Sequence, residues 1–260
     1  MKIIVCIKQV PEQGRIRVDP KTGGVDRGDG YAVMNPYDES ALETALRLKD
    51  VFDAEITVVS MGPPQAEAIL RKSLSCGADH AFLISDPAFG GSDALATSYI
   101  LSLALKTLDF DLLLFGRQAI DGDTGQVGPE TACLLDLPVL TCARSIKPVS
   151  GGFEVECISD SGSQCWNIQS PCALTVIKEN NELREPHFEL RMSAKRAVIP
   201  ILGRAELKPE AGRVGVSGSP TRVVALNRLS VENEGEMLTG SVPEMVAVLI
   251  DRLEKRGALK

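Results

Sequence analysis

The stretch that decides the fold is Gly116-Arg117-Gln118-Ala119-Ile120-Asp121-Gly122-Asp123-Thr124-Gly125-Gln126-Val127-Gly128-Pro129, here called the glycine loop. It follows an apolar run at residues 110–115, which indicates a buried strand, and precedes a helical pattern at residues 130–135. Backbone N–H groups at a helix start are unpaired and carry the positive end of the helix dipole, so they can bind a phosphate. The loop lacks the Lys and Ser/Thr pair of a Walker A P-loop and the GxGxxG spacing. It therefore predicts a nucleotide cradle of another kind, which holds its ligand without hydrolysing it.

The composition suits one large domain, or one domain with an appendage. Of the 260 residues 44% are hydrophobic, and no apolar run approaches the roughly 18–20 residues that span a bilayer. The formal charge of −7 argues against nucleic acid as the main partner. Seven scattered cysteines without a CxxC pair, and only two histidines, favour reduced thiols in a cytoplasm over disulfides or a metal site.

The first two thirds of the chain alternate short β-branched runs with amphipathic stretches. Strands are predicted over residues 3–7, 54–60, 81–84 and 112–115, a hairpin over 16–18 and 24–25, and helices from Asn35-Pro36 onward, over 65–74 and over 92–108. Repeated βα units of this kind predict an α/β fold with a doubly wound, mostly parallel sheet.

After Pro138 the pattern changes to short strands separated by turns, which predicts an antiparallel extension of the sheet. Those strands are expected over residues 139–146, 153–158, 165–168 and 172–177. From about residue 182 prolines interrupt the pattern, and residues 245–253 indicate one last helix. We expect a nucleotide-binding α/β domain over residues 1–184 and, over 185–260, a C-terminal region that includes an arm laid on another subunit. A disordered tail is the alternative.

Ligands of open α/β sheets bind beyond the carboxyl ends of the strands, where the strand order reverses. The loops expected to meet there follow Ile7, surround Asn35, span residues 60–64 and 89–98, and include the glycine loop. Residues 89–98 form a second glycine turn that feeds a helix N-terminus, with hydroxyls at Thr97 and Ser98. Two such helix starts suit a pyrophosphate better than a single phosphate, although glycine turns before helices also occur as plain connections.

Two glutamines are the better ligand candidates in the glycine loop, because an amide both donates and accepts hydrogen bonds and can recognise an adenine or ribose edge. They are Gln118 and Gln126. We expect Cys6 to be a core residue whose backbone faces the ligand. Because these loops contain no histidine, a Ser/His/Asp catalytic arrangement is not possible there. Nothing in the sequence therefore predicts a self-contained hydrolase or transferase.

Other polar residues of these loops allow two interpretations. Asp121 and Asp123 are either ligand contacts or helix caps. Asn35 either borders the ligand or only caps the helix that follows it. Arg117 either neutralises a phosphate or a flavin carbonyl, or forms a surface ion pair.

Five motifs together match one family. They are Val-Cys-Ile-Lys-Gln-Val-Pro at 5–11, Asn-Pro-Tyr-Asp-Glu-Ser-Ala-Leu-Glu at 35–43, Met-Gly-Pro-Pro at 61–64, Gly-Ala-Asp at 77–79 and the glycine loop. Over nearly its whole length the chain resembles the beta subunit of electron transfer flavoproteins. The resemblance implies a flavodoxin-like fold of the adenine nucleotide alpha hydrolase-like kind. It also implies a heterodimer with an alpha subunit that carries the main FAD, embraced by the C-terminal arm of this chain.

Members of this family differ in what the beta subunit holds. The housekeeping type holds AMP as a structural ligand, whereas the electron-bifurcating type holds a second FAD. The stretch Asp86-Pro87-Ala88-Phe89-Gly90-Gly91-Ser92-Asp93, followed by Ala94-Leu95-Ala96-Thr97-Ser98, is similar to the bifurcating type. At Ala94 the family commonly has Thr, so one hydroxyl toward the diphosphate is missing, which the helix N-terminus and Thr97 can compensate. The resemblance thus favours FAD, with AMP as the alternative.

Site residues carried over from the family fall into three groups. The backbone around Cys6, Asn35 and Met61 is expected to border the nucleotide. Asp93, Thr97 and Ser98 are expected at the diphosphate. The adenosine end is expected to be wrapped by Gln118, Ala119, Gly122, Asp123, Thr124, Gly125, Gln126 and Val127.

The resemblance also implies partners. Residues 185–196, here called the recognition segment, match the family's loop that docks on acyl-CoA-dehydrogenase-type proteins, although the match is loose before Met192; a surface loop without a partner is the alternative. In the bifurcating type, NADH reduces the complex, one electron reaches the dehydrogenase through the alpha-subunit flavin, and the other reduces ferredoxin or flavodoxin. No residue of this chain need act as acid or base, so the expected site is a binding site.

Two other functions are compatible with the sequence. One is an AMP-containing relay that carries electrons from dehydrogenases to a membrane quinone reductase. The other is a stand-alone adenine-nucleotide sensor on the same fold, against which the long arm argues.

Overall fold

A computed structural model describes residues 1–12, 17–18, 25–26, 32–178, 181–224 and 235–259. The chain divides into two compact units, Met1–Val224 and Ala225–Lys260. The first unit contains a nine-stranded sheet with helices on its faces.

The strands are β1 (Lys2–Ile7), β2 (Gln9–Pro11), β3 (Arg17–Val18), β4 (Val25–Asp26), β5 (Ala32–Met34), β6 (Glu55–Met61), β7 (His80–Ile84), β8 (Leu112–Gly116), β9 (Val139–Val149), β10 (Gly152–Ser159), β11 (Gly162–Gln169), β12 (Cys172–Val176) and β13 (Ile201–Leu202). The helices are α1 (Pro36–Val51), α2 (Glu67–Cys76), α3 (Ala94–Leu105), α4 (Val127–Leu134), α5 (Phe188–Arg196), α6 (Arg204–Leu207) and α7 (Val242–Lys255).

The order of the large sheet is β11-β10-β9-β12-β8-β1-β6-β7-β13. From β1 the chain moves through β6 to β7 on one side, then returns to β8 on the other side of β1, with these pairs parallel. The strand order therefore reverses between β1 and β8, as in other doubly wound folds. Alternate residues of β1 belong to two cores, Ile3 and Val5 to one and Ile4 and Cys6 to the other. The predicted doubly wound α/β fold is confirmed.

The predicted antiparallel extension is confirmed for β9, β10 and β11. The prediction was wrong for residues 172–177, because β12 runs parallel between β8 and β9. All five residues of β12 are buried. A strand buried on both faces is typical of parallel sheets.

Several short elements differ from the prediction or were not predicted. β3 and β4 pair antiparallel, as expected of the hairpin, while Ile16, Gly24 and the turn between the strands lie outside the described residues. Beyond residue 182, α5 packs on α2 and β13 extends the sheet beside β7. Only Ala194 of α5 is buried. Because a mostly exposed helix needs no apolar stripe facing a core, its sequence lacks the periodicity by which a helix is predicted.

The second unit contains the predicted C-terminal helix, which runs from Val242 to Lys255. Ser241 and Glu244 form a capping box at its start, with the Ser241 N–H donating to Glu244 Oε2 at 2.8 Å. No α7 side chain is buried. Within the described part of the chain, no helix is both long and apolar enough to cross a membrane.

Candidate functional site

A cavity of about 1190 Å³ opens at the carboxyl ends of the central strands. Cys6 of β1, Met61 of β6, Ile84 of β7 and Gly116 of β8 all line it. The five loops expected to converge also border it, with contributions from residues 8–9, 35, 61–64, 89–95, 97, 116–119 and 122–128. The reversal of strand order thus places the cavity where ligands of open α/β sheets bind.

Asp38 joins the two central strands beneath this cavity. Its carboxylate accepts the backbone N–H of Lys8 at 2.7 Å, just after β1, and that of Gly116 at 3.2 Å, at the end of β8. Burial raises the pKa of Asp38 to about 7, although the hydrogen bonds from these backbone amides oppose the shift. Gly116 has to be glycine, because an added Cβ would overlap Asp38 Oδ1 and lie 2.7 Å from the Tyr37 backbone carbon.

Asn35 fixes the first part of the glycine loop. Its Nδ2 donates to the Gln118 carbonyl at 2.8 Å, and its Oδ1 accepts the Ile120 N–H at 3.2 Å. Although Asn35 precedes α1, its side chain forms no capping hydrogen bond. The interpretation of Asn35 as only a helix cap was therefore wrong.

The two aspartates of the glycine loop have partners other than a helix end. Asp121 Oδ1 pairs with Lys8 Nζ at 2.7 Å, which ties the loop to β1. Asp123 accepts a hydrogen bond from Gln118 Nε2 within the loop. The N-cap residue of α4 is Gln126, and it has no side-chain capping bond. Neither aspartate caps α4, so that interpretation was wrong.

The loop turns into α4 through two residues with positive φ, Asp123 at 55° and Gly125 at 63°. The Asp123 N–H donates to the Ala119 carbonyl at 2.8 Å and closes the turn. The α4 start then leaves the first-turn amides of Val127 and Gly128 beside the cavity, where a helix has no internal acceptor for them. Backbone donors at this end of the cavity suit an anionic or polar ligand.

A second helix start faces the same cavity. Asp93 caps α3, accepting the Ala96 N–H at 3.1 Å, and Ala94 and Leu95 of the first turn line the cavity. Thr97 also lines it, and its hydroxyl forms no hydrogen bond with any residue in the described ranges. As far as the described residues go, this end of the cavity therefore offers first-turn amides and the Thr97 hydroxyl without a partner.

All the predicted site residues except Ser98 line this one cavity: Cys6, Asn35, Met61, Asp93, Thr97, Gln118, Ala119, Gly122, Asp123, Thr124, Gly125, Gln126 and Val127. Ser98 is fully buried and lies outside the lining. Its hydroxyl contacts the Ala94 carbonyl at 2.8 Å and Glu130 Oε2 at 3.1 Å, so it joins α3 to α4.

Arg117 lines the cavity with an exposed side chain and forms no ion pair with any described residue. The surface ion pair considered for it is therefore not formed within those ranges. Its backbone N–H donates to the Val176 carbonyl at 2.8 Å, which extends the β8–β12 pairing into the loop. The guanidinium is left available to an anion.

Three features of the site were not predicted as such. Lys8 and Asp38 lie within the motifs at 5–11 and 35–43, but neither was predicted to have a role of its own. Asp38 lies four residues before the core residue Leu42, on the buried face of α1, and a charged residue on that face was a usable signal. The third feature is a wall formed by Pro220, Thr221 and Val223, far along the chain from the other loops.

Cys6 lies at the base of the cavity, 5% exposed. Burial, with a smaller effect from the Asp38 charge, raises the pKa of its thiol well above the ordinary range. The thiol is thus a packing group and not a nucleophile. Among the described residues, no group of three or more His, Cys, Asp or Glu side chains is placed to hold a metal ion.

The fold and the cavity define a doubly wound α/β protein in which two helix starts face one cavity, an arrangement that suits a nucleotide. Comparison with known proteins gives the family: residues 22–207 match the Electron transfer flavoprotein domain. The chain belongs to the beta-subunit family of electron transfer flavoproteins, proteins of electron transfer that are associated with flavins and nucleotides.

Three curated relatives illustrate the similarity. The electron transfer flavoprotein subunit beta of Thermoanaerobacterium thermosaccharolyticum is 40% identical over 98% of this chain and 99% of its own length. That of Megasphaera elsdenii is 45% identical over 86% of each chain. The Caffeyl-CoA reductase-Etf complex subunit CarD of Acetobacterium woodii is 41% identical over 98% of this chain and 99% of its own length.

Proposed function

We propose that this chain binds FAD in the cavity and serves as the beta subunit of an electron-bifurcating electron transfer flavoprotein. The observation that carries the proposal is that the glycine loop and the start of α3 border one continuous cavity. Two helix starts on one ligand suit a diphosphate, which FAD contains and AMP does not.

The size of the cavity supports the same ligand. Its volume of about 1190 Å³ exceeds the roughly 300–1,000 Å³ of common ligand pockets. A mononucleotide would leave much of it unfilled. Apolar side chains of Phe89, Leu101 and Phe115 line it together with the polar loops, a mixture that suits an aromatic ring system joined to a charged linker.

The residues of the chain would bind and orient the cofactor. Gln118 and Gln126 would hold the adenosine end, and the amides at the start of α4 would face the phosphate next to it. Thr97 and the first-turn amides of α3 would bind the diphosphate. FAD supplies the hydride and one-electron chemistry when bound, and the protein supplies position and electrostatics. NADH would be the reductant, and a dehydrogenase partner and ferredoxin or flavodoxin the two acceptors.

The remainder of the chain would bind the partners. Residues 185–260 are proposed as a region of contact, with the second unit as an arm on the alpha subunit. α5, in the recognition segment, exposes Phe188 by 75%, together with Leu190 and Met192. Exposed apolar side chains on a helix packed against α2 suit docking on a dehydrogenase. The name of the CarD relative, which places it in a reductase complex, supports such an assembly.

Two observations favour the alternative, an AMP-binding relay subunit. Ala94 at the start of α3 has no hydroxyl, and the Asp93 carboxylate lies beside the cavity, where its charge would oppose a diphosphate. Both carboxylate oxygens of Asp93 are, however, engaged by N–H and O–H donors, which reduces that repulsion.

Anaerobic titration of the purified heterodimer with NADH tests the proposal. Reduction of two flavins per heterodimer, followed by ferredoxin reduction that requires the high-potential acceptor, is the expected result. A complex that contains one flavin and does not react with NADH would contradict bifurcation and favour the AMP relay.

A further inference from the structure

The segment 210–223, here called the strap, is hydrogen-bonded to the loop before α3. The Gly215 N–H donates to Ser92 Oγ at 3.1 Å. Ser219 Oγ accepts the Asp93 N–H at 2.8 Å and donates to the Gly215 carbonyl at 2.7 Å. Thr221 donates twice to Asp93 Oδ2, from its N–H at 3.0 Å and from its hydroxyl at 2.8 Å. The strap is thus attached at three successive points.

Close packing accompanies these bonds. Gly91 has a φ of 74°, and a Cβ there would overlap the Val216 side chain. Gly215 has a φ of 61°, and a Cβ there would overlap the Ala88 carbonyl and lie 3.3 Å from that of Gly90. The two backbones therefore approach as closely as glycine allows, and only at positions where glycine also suits the backbone conformation.

The earlier part of the strap is held against α3 itself. The Arg213 guanidinium lies over the Tyr99 ring, 3.9 Å from its centroid. The Tyr99 hydroxyl accepts the Glu210 N–H at 3.0 Å. These contacts fix the direction in which the strap reaches the cavity.

Asp93 links the strap to the helix start that faces the cavity. Its Oδ1 caps α3 through the Ala96 N–H, while its Oδ2 holds Thr221. Pro220, Thr221 and Val223 line the cavity directly, whereas no hydrogen bond joins the strap to the glycine loop within the described residues. The strap therefore lines the cavity on the side of α3.

We propose that the strap forms one side of the cavity and positions the part of the ligand beyond its adenosine. The Asp93–Thr221 contact, here called the latch, holds the strap against the start of α3. Thr221 is thus a positioning residue, which acts through Asp93 and through the shape of the cavity. This inference rests on the proposed function, because it requires a ligand longer than a mononucleotide.

The test compares FAD and AMP binding to the full chain by isothermal titration calorimetry for the wild type, Thr221→Val and Thr221→Ser. Valine keeps the shape and the backbone donor but removes the hydroxyl, whereas serine keeps the hydroxyl. We expect T221V to raise the Kd for FAD by roughly three- to tenfold, as for loss of one hydrogen bond of ordinary strength. The Kd for AMP should change less than twofold, and T221S should match the wild type.

Hydrogen exchange of residues 210–223 provides a second readout, with faster exchange expected in T221V. Equal Kd values for FAD in T221V and the wild type would overturn the latch, as would equal losses for FAD and AMP. A wild-type chain that binds AMP but not FAD would instead contradict the proposed function, and the inference would fall with it. The wild-type measurement therefore distinguishes the two failures.

Discussion

Asn35 holds the glycine loop through both ends of its side-chain amide, donating to the Gln118 carbonyl at 2.8 Å and accepting the Ile120 N–H at 3.2 Å. Asn35 is 1% exposed, so neither bond can be replaced readily by water. Asn35, between β5 and α1, therefore determines the shape of a loop more than 80 residues further along the chain.

Asn35→Asp should weaken nucleotide binding strongly. A carboxylate cannot donate to the Gln118 carbonyl and would face it with like charge, so we expect a loss of about tenfold or more in affinity. Calorimetric titration of the full chain with FAD measures it. The control is Asn167→Asp on exposed β11, which makes the same change in charge. Equal affinities for N35D and wild type would contradict the role of Asn35.

Lys8 and Asp121 should be energetically coupled. The Asp121 side chain is 12% exposed and that of Lys8 41%, so we expect a modest coupling energy of about 1 kcal/mol. A double-mutant cycle with Lys8→Met and Asp121→Asn, scored by nucleotide affinity, measures it. Lys147→Met, at an exposed pair with Glu154, should leave affinity unchanged. Additive effects of K8M and D121N would show that the pair does not hold the loop.

Asp38 should make stability depend on pH. Its pKa is about 7 in the folded chain against an ordinary value of 3.8, so the folded state binds the extra proton between those values. The contribution of Asp38 to stability is therefore fully present below about pH 4 and is lost as the pH rises through 7.

Urea unfolding at pH 5, 6, 7 and 8 tests this against Asp38→Asn. The free energy of unfolding of the wild type should fall relative to D38N by about 2–3 kcal/mol across that range. Asp109→Asn, at a side chain 91% exposed, should show no such relative change. Parallel profiles for the wild type and D38N would contradict the raised pKa.

Gly116→Ala should destabilise the fold. The new methyl group would overlap Asp38 and crowd Tyr37, and overpacking of this kind typically costs about 1–3 kcal/mol. Gly122→Ala is the matched control, because a Cβ at Gly122 meets no atom within 4 Å. Urea unfolding of both variants gives their free energies of unfolding. Similar values for G116A and G122A would be inconsistent with the close approach of Gly116 to Asp38 and Tyr37.

The parallel core and the cavity edge were predictable because they depend on local patterns. The run at residues 112–115 and the glycine loop after it indicate a buried strand and a helix start from sequence neighbours alone. The same reasoning failed at β12, because a mostly apolar stretch of five residues does not reveal whether its neighbours run parallel or antiparallel.

The rest of the site depends on contacts between distant parts of the chain. Asp38, the Lys8–Asp121 pair and the Asp93–Thr221 contact join residues 30 to 128 positions apart, which periodicity does not detect. Ser98 was a plausible ligand residue from its position in the first turns of α3, yet its hydroxyl faces Glu130. Which side of a helix faces a cavity depends on the packing of the next helix.

The cofactor content of the purified complex tests the central claim most directly. The heterodimer of this chain with its alpha subunit is denatured, and the released FAD and AMP are quantified against protein. We predict two FAD per heterodimer and no AMP, with one FAD lost from a complex that carries N35D. One FAD and one AMP per heterodimer would contradict the claim that this cavity holds a flavin.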